Sequence, residues 1–195
     1  MGLGVKDVVN PATVVSFKFK VANIACGYWH TLLLSAEGRV YATGYNKTGG
    51  LGLGDTVNRS TFTEITTIKG EIEISGSEFE QAVLEKITQI AAGYHVSFFI
   101  DESKKLYSCG SLYLNGMKKV MDVDVPRLVD YSLYFSLSNI ISLNLKIPKL
   151  QDKAIVSVAV GAKHAACIDS EGLLYTWGDG GCYELGHGKN VDLKC

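Results

Sequence analysis

The chain has 195 residues, of which 47% are apolar and 20% are charged, and its 19 Lys and Arg nearly balance its 20 Asp and Glu. This is the composition of an ordinary globular protein, and a formal net charge of −1 predicts no general attraction for nucleic acid or for an anionic membrane. The sequence also lacks an apolar stretch long enough to span a membrane and a signal peptide after Met1.

The five cysteines are odd in number and form no C-x-x-C pair, so they predict neither a zinc site nor a redox pair. A reducing intracellular compartment, cytoplasmic or nuclear, is the simplest interpretation. We expect no cofactor and no metal. The glycosylation sequons at Asn46 and Asn58 are interpreted as turn sequences that happen to match.

One structural unit recurs along the chain. Its first copy predicts strands at Val21–Cys26, His30–Ser35 and Val40–Thr43, which are short runs rich in β-branched and aromatic residues. A fourth apolar stretch follows a glycine-rich loop, at Phe62–Ile65 in this copy and at Pro126–Val129 in the next. Four short strands in about 50 residues are typical of a β-propeller blade. The predicted fold is therefore all-β, with blades of four antiparallel strands.

A fixed spacing of glycine and tyrosine marks the copies. In each copy a glycine is followed fourteen residues later by a tyrosine and seventeen residues later by a second glycine. With the histidine that two copies share, the structural repeat positions are Gly27, His30, Tyr41, Gly44, Gly93, Tyr107, Gly110, Gly161, His164, Tyr175 and Gly178. We expect the repeated histidines to satisfy backbone groups, because equivalent positions on successive blades point radially and do not converge on a metal.

The spacing predicts a single partial propeller domain, 1–195, with about three to four blades. The repeats are expected at about 1–50, 51–116 and 117–184, with 185–195 beginning a further unit.

Two inserted segments interrupt the repeats, at about 66–86 and 131–149. The first is acidic and is interpreted as a surface excursion whose end, Ser77–Leu84, predicts one or two helical turns. The second alternates apolar and polar residues, which predicts a β-hairpin. Within the repeats, the turn after the second strand has Gly38 or Gly172 in the outer copies, whereas Lys104 in the middle copy predicts a different turn.

The glycine-rich segment 49–55 has two interpretations. Glycines allow a backbone to approach phosphates, which suggests a nucleotide-binding loop. However, Asp55 fills the position of the third glycine, and the segment recurs at residues 1–4 and 185–188. The sequence therefore favours a structural turn.

The candidate partner-binding residues vary between copies although their neighbours are fixed. They lie between the first glycine and the histidine position, and they are Tyr28, Trp29, Tyr94, His95, Ala162 and Lys163. Loops between strands gather on the faces of a propeller, so these side chains are expected to meet a protein partner. The alternative is that the rings of Tyr28 and Trp29 merely cover the propeller mouth. No catalytic arrangement of Ser/His/Asp or Cys/His stands out.

The combined pattern resembles the regulator of chromosome condensation repeat. It is carried by Gly27, His30, Gly38, Tyr41, Gly44, Leu51, Gly52 and Gly54, and again by Gly161, His164, Gly172, Tyr175, Trp177, Gly178, Leu185, Gly186 and Gly188. The middle copy departs from it at Val96, Lys104 and Lys118. The resemblance implies a seven-bladed propeller, which would need about 350 residues. We therefore expect the remaining blades to come from further sequence or from another chain.

Two functions follow from this resemblance. We interpret the chain as a non-catalytic protein–protein interaction scaffold rather than an enzyme. The alternative is guanine-nucleotide exchange on a Ran-type small GTPase, which is the activity of the founding family member. The expected partner is a protein in both cases, with a small GTPase as one candidate.

Overall fold

The structure, a computed structural model, describes residues 14–69, 81–83, 86–111, 122–128, 150 and 152–188. The described chain is all-β, which confirms the predicted fold class. Its thirteen strands are β1 (Val21–Cys26), β2 (His30–Ser35), β3 (Val40–Gly44), β4 (Arg59–Ile65), β5 (Thr67–Lys69), β6 (Gln81–Val83), β7 (Ile87–Ala92), β8 (Val96–Asp101), β9 (Leu106–Ser111), β10 (Asp122–Leu128), β11 (Ile155–Val160), β12 (His164–Asp169) and β13 (Leu174–Gly178).

The first blade is the sheet β1-β2-β3-β4, in which every neighbouring pair is antiparallel. On β2, Leu33 pairs with Ile24 of β1 on one side and with Tyr41 of β3 on the other. The second blade, β7-β8-β9-β10, repeats this order, and the third comprises β11-β12-β13 among the described residues.

The first insertion adds two strands to the second blade. β5 pairs in parallel with β10, and β6 pairs antiparallel with β5, so this sheet has six strands. The prediction of helical turns at Ser77–Leu84 is therefore wrong over Gln81–Val83, which form a strand paired with β5, while β5 in turn pairs with the edge of β10. The predicted hairpin at 131–149 lies outside the described residues.

The blades pack against one another in chain order. β7 lies against β1 and β2, while β11 lies against β7 and β8. Two apolar clusters fill these junctions, and successive side chains of β8 belong to different clusters: Phe99 packs with Leu32 of the first blade, and Phe98 with Trp177 of the third. β1 has no described blade on its outer side, so Ile24 is 62% exposed whereas its counterpart Ile90 is buried.

In the second and third repeats the shared tyrosine hydrogen-bonds to the aspartate at the turn between the second and third strands. Tyr107 Oη donates to Asp101 Oδ2, and Tyr175 Oη donates to Asp169 Oδ2, each at 2.9 Å. Desolvation raises the pKa of Asp169, but hydrogen bonds from the Leu173 amide, Tyr175 and other donors outweigh it, and the pKa lies below its ordinary value.

Lys104 adopts the same turn conformation as its glycine counterparts. Its φ is 65°, against 86° for Gly38 and 83° for Gly172, and its N–H donates to Asp101 O at 3.1 Å as Gly38 N–H does to Ser35 O at 3.0 Å. The prediction of a different turn in the middle copy is wrong. The turn is set by hydrogen bonds that do not depend on the side chain, so lysine accepts a left-handed backbone at some energetic cost.

Replacing Lys104 with glycine is expected to raise the free energy of unfolding by about 0.5–1 kcal/mol, because relief of the left-handed strain outweighs the extra conformational entropy that glycine gives the unfolded chain. Lys105→Gly removes the same charge at a residue that does not have a positive φ, and it is expected to be destabilising. Urea denaturation of both variants makes the comparison. Equal effects would contradict the assignment of strain to Lys104.

Candidate functional site

The candidate site lies at the end of the blades where a loop connects the first strand of each repeat to the second. We call this end the loop face; the opposite end, with the turns at Gly38, Lys104 and Gly172, is the turn face. On the loop face, Tyr28 N–H donates to Gly93 O at 3.1 Å, which joins the first blade to the second.

The repeated glycines bring the loops of neighbouring blades into backbone contact. A Cβ on Gly27 would lie 2.5 Å from Gly93 O, and a Cβ on Gly93 would lie 2.9 Å from Gly161 O. The histidine ring covers the glycine of its own loop, since Cβ atoms on Gly27 and Gly161 would lie 2.6 and 2.7 Å from Nδ1 of His30 and His164. The three glycines therefore occupy like surroundings around the arc of blades.

Five aromatic rings gather on the loop face of the first two blades. This aromatic patch consists of Tyr28, Trp29, Tyr45, Tyr94 and His95. The rings of Tyr28 and Tyr94 stack with centroids 4.5 Å apart, and Trp29 lies 5.0 Å from Tyr28 and 5.2 Å from both Tyr45 and His95. Tyr28 is 61% exposed, Trp29 51% and Tyr94 38%. Large rings held together at this exposure form a contiguous apolar surface with polar edges.

Tyr45 completes the patch and was not among the residues predicted from the sequence. It follows the second repeat glycine, and its N–H donates to Trp29 O at 2.9 Å. The signal was available, because this position also varies between copies, from Tyr45 to Ser111 to Asp179.

The third blade carries a charged pair at the positions that are aromatic in the first. Ala162 and Lys163 are exposed on the loop between β11 and β12. Lys163 Nζ lies 4.0 Å from Asp179 Oδ2, and these two residues stand where Trp29 and Tyr45 stand in the first blade. The structure thus brings four of the six predicted residues into one patch and places Ala162 and Lys163 on the next blade.

His30 lies directly below the patch and links two blades. Its Nε2 is 2.9 Å from Ser97 Oγ of β8, and Ser97 Oγ donates to Gly50 O at 2.6 Å. Since the single hydroxyl proton is used on Gly50, Nε2 carries the proton and His30 is the donor to Ser97. We expected a backbone partner for this histidine, whereas the structure places a serine hydroxyl between the ring and the backbone. Burial, with a smaller contribution from His95, lowers the pKa of His30 to about 4.

The middle copy lacks the histidine, and the third blade lacks the serine that would pair with it. Val96 occupies this position, and the residue of the third blade equivalent to Ser97 is Ala165. Val96 and Ala165 belong to the same buried apolar cluster. With no hydroxyl on the next blade, an apolar side chain fills the junction.

The glycine-rich segment 49–55 is organised by the buried side chain of Asn46. Asn46 Nδ2 donates to Asp55 O at 2.8 Å, and Asn46 Oδ1 accepts the Leu51 N–H at 2.9 Å. This network supports the structural interpretation of the segment. It also buries the amide nitrogen that a glycan would need at the first sequon.

The thiol chemistry of the described chain is limited. Cys26, Cys109, Cys167 and Cys182 are free, and burial followed by the nearby Asp169 charge raises the pKa of Cys167 to about 12. No three metal-binding side chains come together among the described residues. None of the described segments is a helix long and apolar enough to cross a bilayer.

Comparison with known proteins identifies the class to which this fold belongs. Models of the Regulator of chromosome condensation (RCC1) repeat match residues 21–49 and 155–184 and, separately, residues 37–100, together more than half of the chain. The chain therefore belongs to the RCC1 repeat family, and its sheets are blades of a partial propeller.

Individual relatives share this repeat. The X-linked retinitis pigmentosa GTPase regulator homolog of Caenorhabditis elegans is 31% identical over 208 residues, which cover 94% of this chain and 14% of that protein. The human X-linked retinitis pigmentosa GTPase regulator is 38% identical over 133 residues, covering 66% and 12%. The chain thus spans less than a fifth of the length of these two relatives. The crystal structure of human WBSCR16 shares the fold at a TM-score of 0.56 and 24% identity, covering 84% of this chain and 34% of that one.

Proposed function

We propose that the chain is a non-catalytic interaction scaffold that docks an intracellular protein partner on the aromatic patch. The observation that carries the proposal is the contiguity of Tyr28, Trp29 and Tyr94 at high exposure on the loop face. Tyrosine and tryptophan dominate the binding energy of protein interfaces, and contiguous apolar patches mark such interfaces. This contiguity favours docking over the alternative that Tyr28 and Trp29 only cover the propeller mouth.

The scaffold beneath the patch supports this role. Gly27 and Gly93 hold the two loops together through backbone contacts, and the buried His30 ties the first blade to the second. A rigid support fixes the rings before a partner arrives, so less conformational entropy is lost on binding. The chemistry of the site is recognition, because its side chains supply rings and hydrogen-bond donors rather than a nucleophile with a base.

Site-directed photocrosslinking tests the docking surface. Benzoylphenylalanine at position 163, on the loop face, is expected to crosslink a protein in extracts of the source cells, whereas the same probe at exposed Leu173 on the turn face is not. The double variant Tyr28→Ala/Trp29→Lys provides the matched control, since it installs the residue types found at 162 and 163. Adducts that persist in this variant, or that form equally from position 173, would place docking elsewhere.

Nucleotide exchange is the second candidate, and it is favoured by the names of the two relatives, which describe GTPase regulators. Exchange requires a loop that displaces phosphate and magnesium contacts of the GTPase. On the loop face of the third blade, the acidic side chain of Asp179 lies 4.0 Å from Lys163 Nζ.

A nucleotide-release assay separates the two functions. The full chain is expected to leave the release of fluorescent GDP from a Ran-type GTPase at its spontaneous rate, with EDTA as the positive control for release. A measurable acceleration that depends on the concentration of the chain would replace the scaffold with an exchange factor.

A further inference from the structure

We infer that the aromatic patch binds an uncharged, proline-rich segment of its partner in the polyproline II conformation. This inference rests on the proposed docking function and specifies the chemistry of the partner. It depends on three properties of the patch, which are its charge, the inclination of its rings and its hydrogen-bond donors.

The charge of the patch favours an uncharged occupant. Its five members are three tyrosines, one tryptophan and one histidine, without a lysine, arginine or carboxylate among them. On the neighbouring blade, Lys163 and Asp179 lie 4.0 Å apart and offset one another. A strongly acidic or basic segment would lose hydration here without gaining a counter-charge, so complementarity favours a neutral segment.

The rings form a ridged surface rather than a flat one. Trp29 is inclined at 57° to Tyr28, 62° to Tyr45 and 43° to Tyr94, while Tyr28 and Tyr94 are within 28° of parallel. Proline rings pack on aromatic faces in the grooves that recognise proline-rich peptides, and inclined rings present such faces in more than one direction.

The polar edges of the rings match the backbone of such a segment. A polyproline II helix has no internal hydrogen bonds, so its carbonyl groups are free to accept. Tyrosine hydroxyls and the tryptophan N–H are donors of the kind that those carbonyls need. The helix is also formed before binding, which reduces the entropy lost on docking.

Calorimetric titration of the full chain with a decaproline peptide, acetylated and amidated, tests the inference. We expect saturable binding, accompanied by a change in the fluorescence of exposed Trp29; the second tryptophan, Trp177, is buried. In Tyr28→Ala/Trp29→Lys the affinity is expected to fall by about tenfold or more. Tyr183→Ala, which removes a 62% exposed ring from the third blade, is the matched control and should leave the affinity unchanged. Circular dichroism and thermal melts establish that both variants fold.

Peptides of equal length distinguish the other occupants. A Gly-Ser peptide is expected not to bind, and a Gly-Arg peptide is expected to bind more weakly than decaproline. No binding of decaproline, or binding that survives in the double variant, would overturn the inference. Preference for the Gly-Arg peptide would overturn it in favour of a cationic partner, and patch-dependent self-association in sedimentation would overturn it in favour of a second copy. If decaproline fails while patch-dependent crosslinking succeeds, docking stands and only the chemistry of the partner is wrong; if both fail, the docking function falls as well.

Discussion

Replacing Gly44 with alanine is expected to lower the free energy of unfolding by about 2–5 kcal/mol, the sum of a backbone and a steric cost. Gly44 ends β3 at a φ of 114°, which side-chain-bearing residues rarely adopt. A Cβ there would collide with Trp29 O and lie 2.8 Å from His30 Cα. Both obstacles are backbone atoms of the adjoining strand and loop, so they cannot move aside as the end of a flexible side chain can.

Gly172→Ala separates the two costs. Gly172 has a φ of 83°, yet a Cβ at this position meets nothing within 4 Å. Its replacement is therefore expected to cost only the left-handed strain, about 1–2 kcal/mol. Urea denaturation of both variants supplies the measurement, and equal losses would show that the contact with the Trp29 carbonyl is unimportant.

The same substitution connects stability to the aromatic patch. Trp29 O accepts the Tyr45 N–H at 2.9 Å, so a Cβ that displaces this carbonyl disturbs the loop that holds both rings. In the fraction of Gly44→Ala that remains folded, the fluorescence of Trp29 is expected to change, whereas in Gly172→Ala it is expected to stay as in the parent chain. Glycine at position 44 is thus required by its positive φ and also by the close packing of the loop that holds Trp29 and Tyr45.

The strands were predictable because they depend on local pattern. The short β-branched and aromatic runs gave the bounds of β1 and β2 as the structure has them, and β3 extends by one residue to Gly44. The spacing of glycine and tyrosine also predicted that Gly27, Gly93 and Gly161 are equivalent, since each repeat must meet its neighbour in the same way.

The features that were missed depend on contacts between segments distant in sequence. The helical prediction for Ser77–Leu84 used composition alone, whereas pairing with β5 makes Gln81–Val83 a strand. The serine below His30 is 67 residues away, on the next blade, so no local pattern could identify it. Lys104 was misjudged because backbone hydrogen bonds set the turn more strongly than the preference for glycine does.

The stability of the protein is expected to fall by about 3 kcal/mol between pH 6.5 and pH 4 because of His30 alone. The pKa of His30 is lowered to about 4 in the folded chain, first by burial and then by His95, from an ordinary value of 6.5. Between these two values the unfolded chain binds a proton that the folded chain does not. The free energy of unfolding therefore decreases as the pH falls through this window, and the loss is complete below the folded pKa.

Two variants isolate this contribution. His30→Val, which installs the side chain found at Val96, is expected to be less stable at pH 7 but to lose about 3 kcal/mol less than the parent chain between pH 6.5 and pH 4. Ser97→Ala removes the hydroxyl that accepts from His30 and keeps the ring buried, so most of the pH dependence should remain. Urea denaturation across this pH range gives the differences between the chains. If His30→Val parallels the parent chain at every pH, or if Ser97→Ala removes the dependence as fully as His30→Val does, then burial of the ring is not its cause.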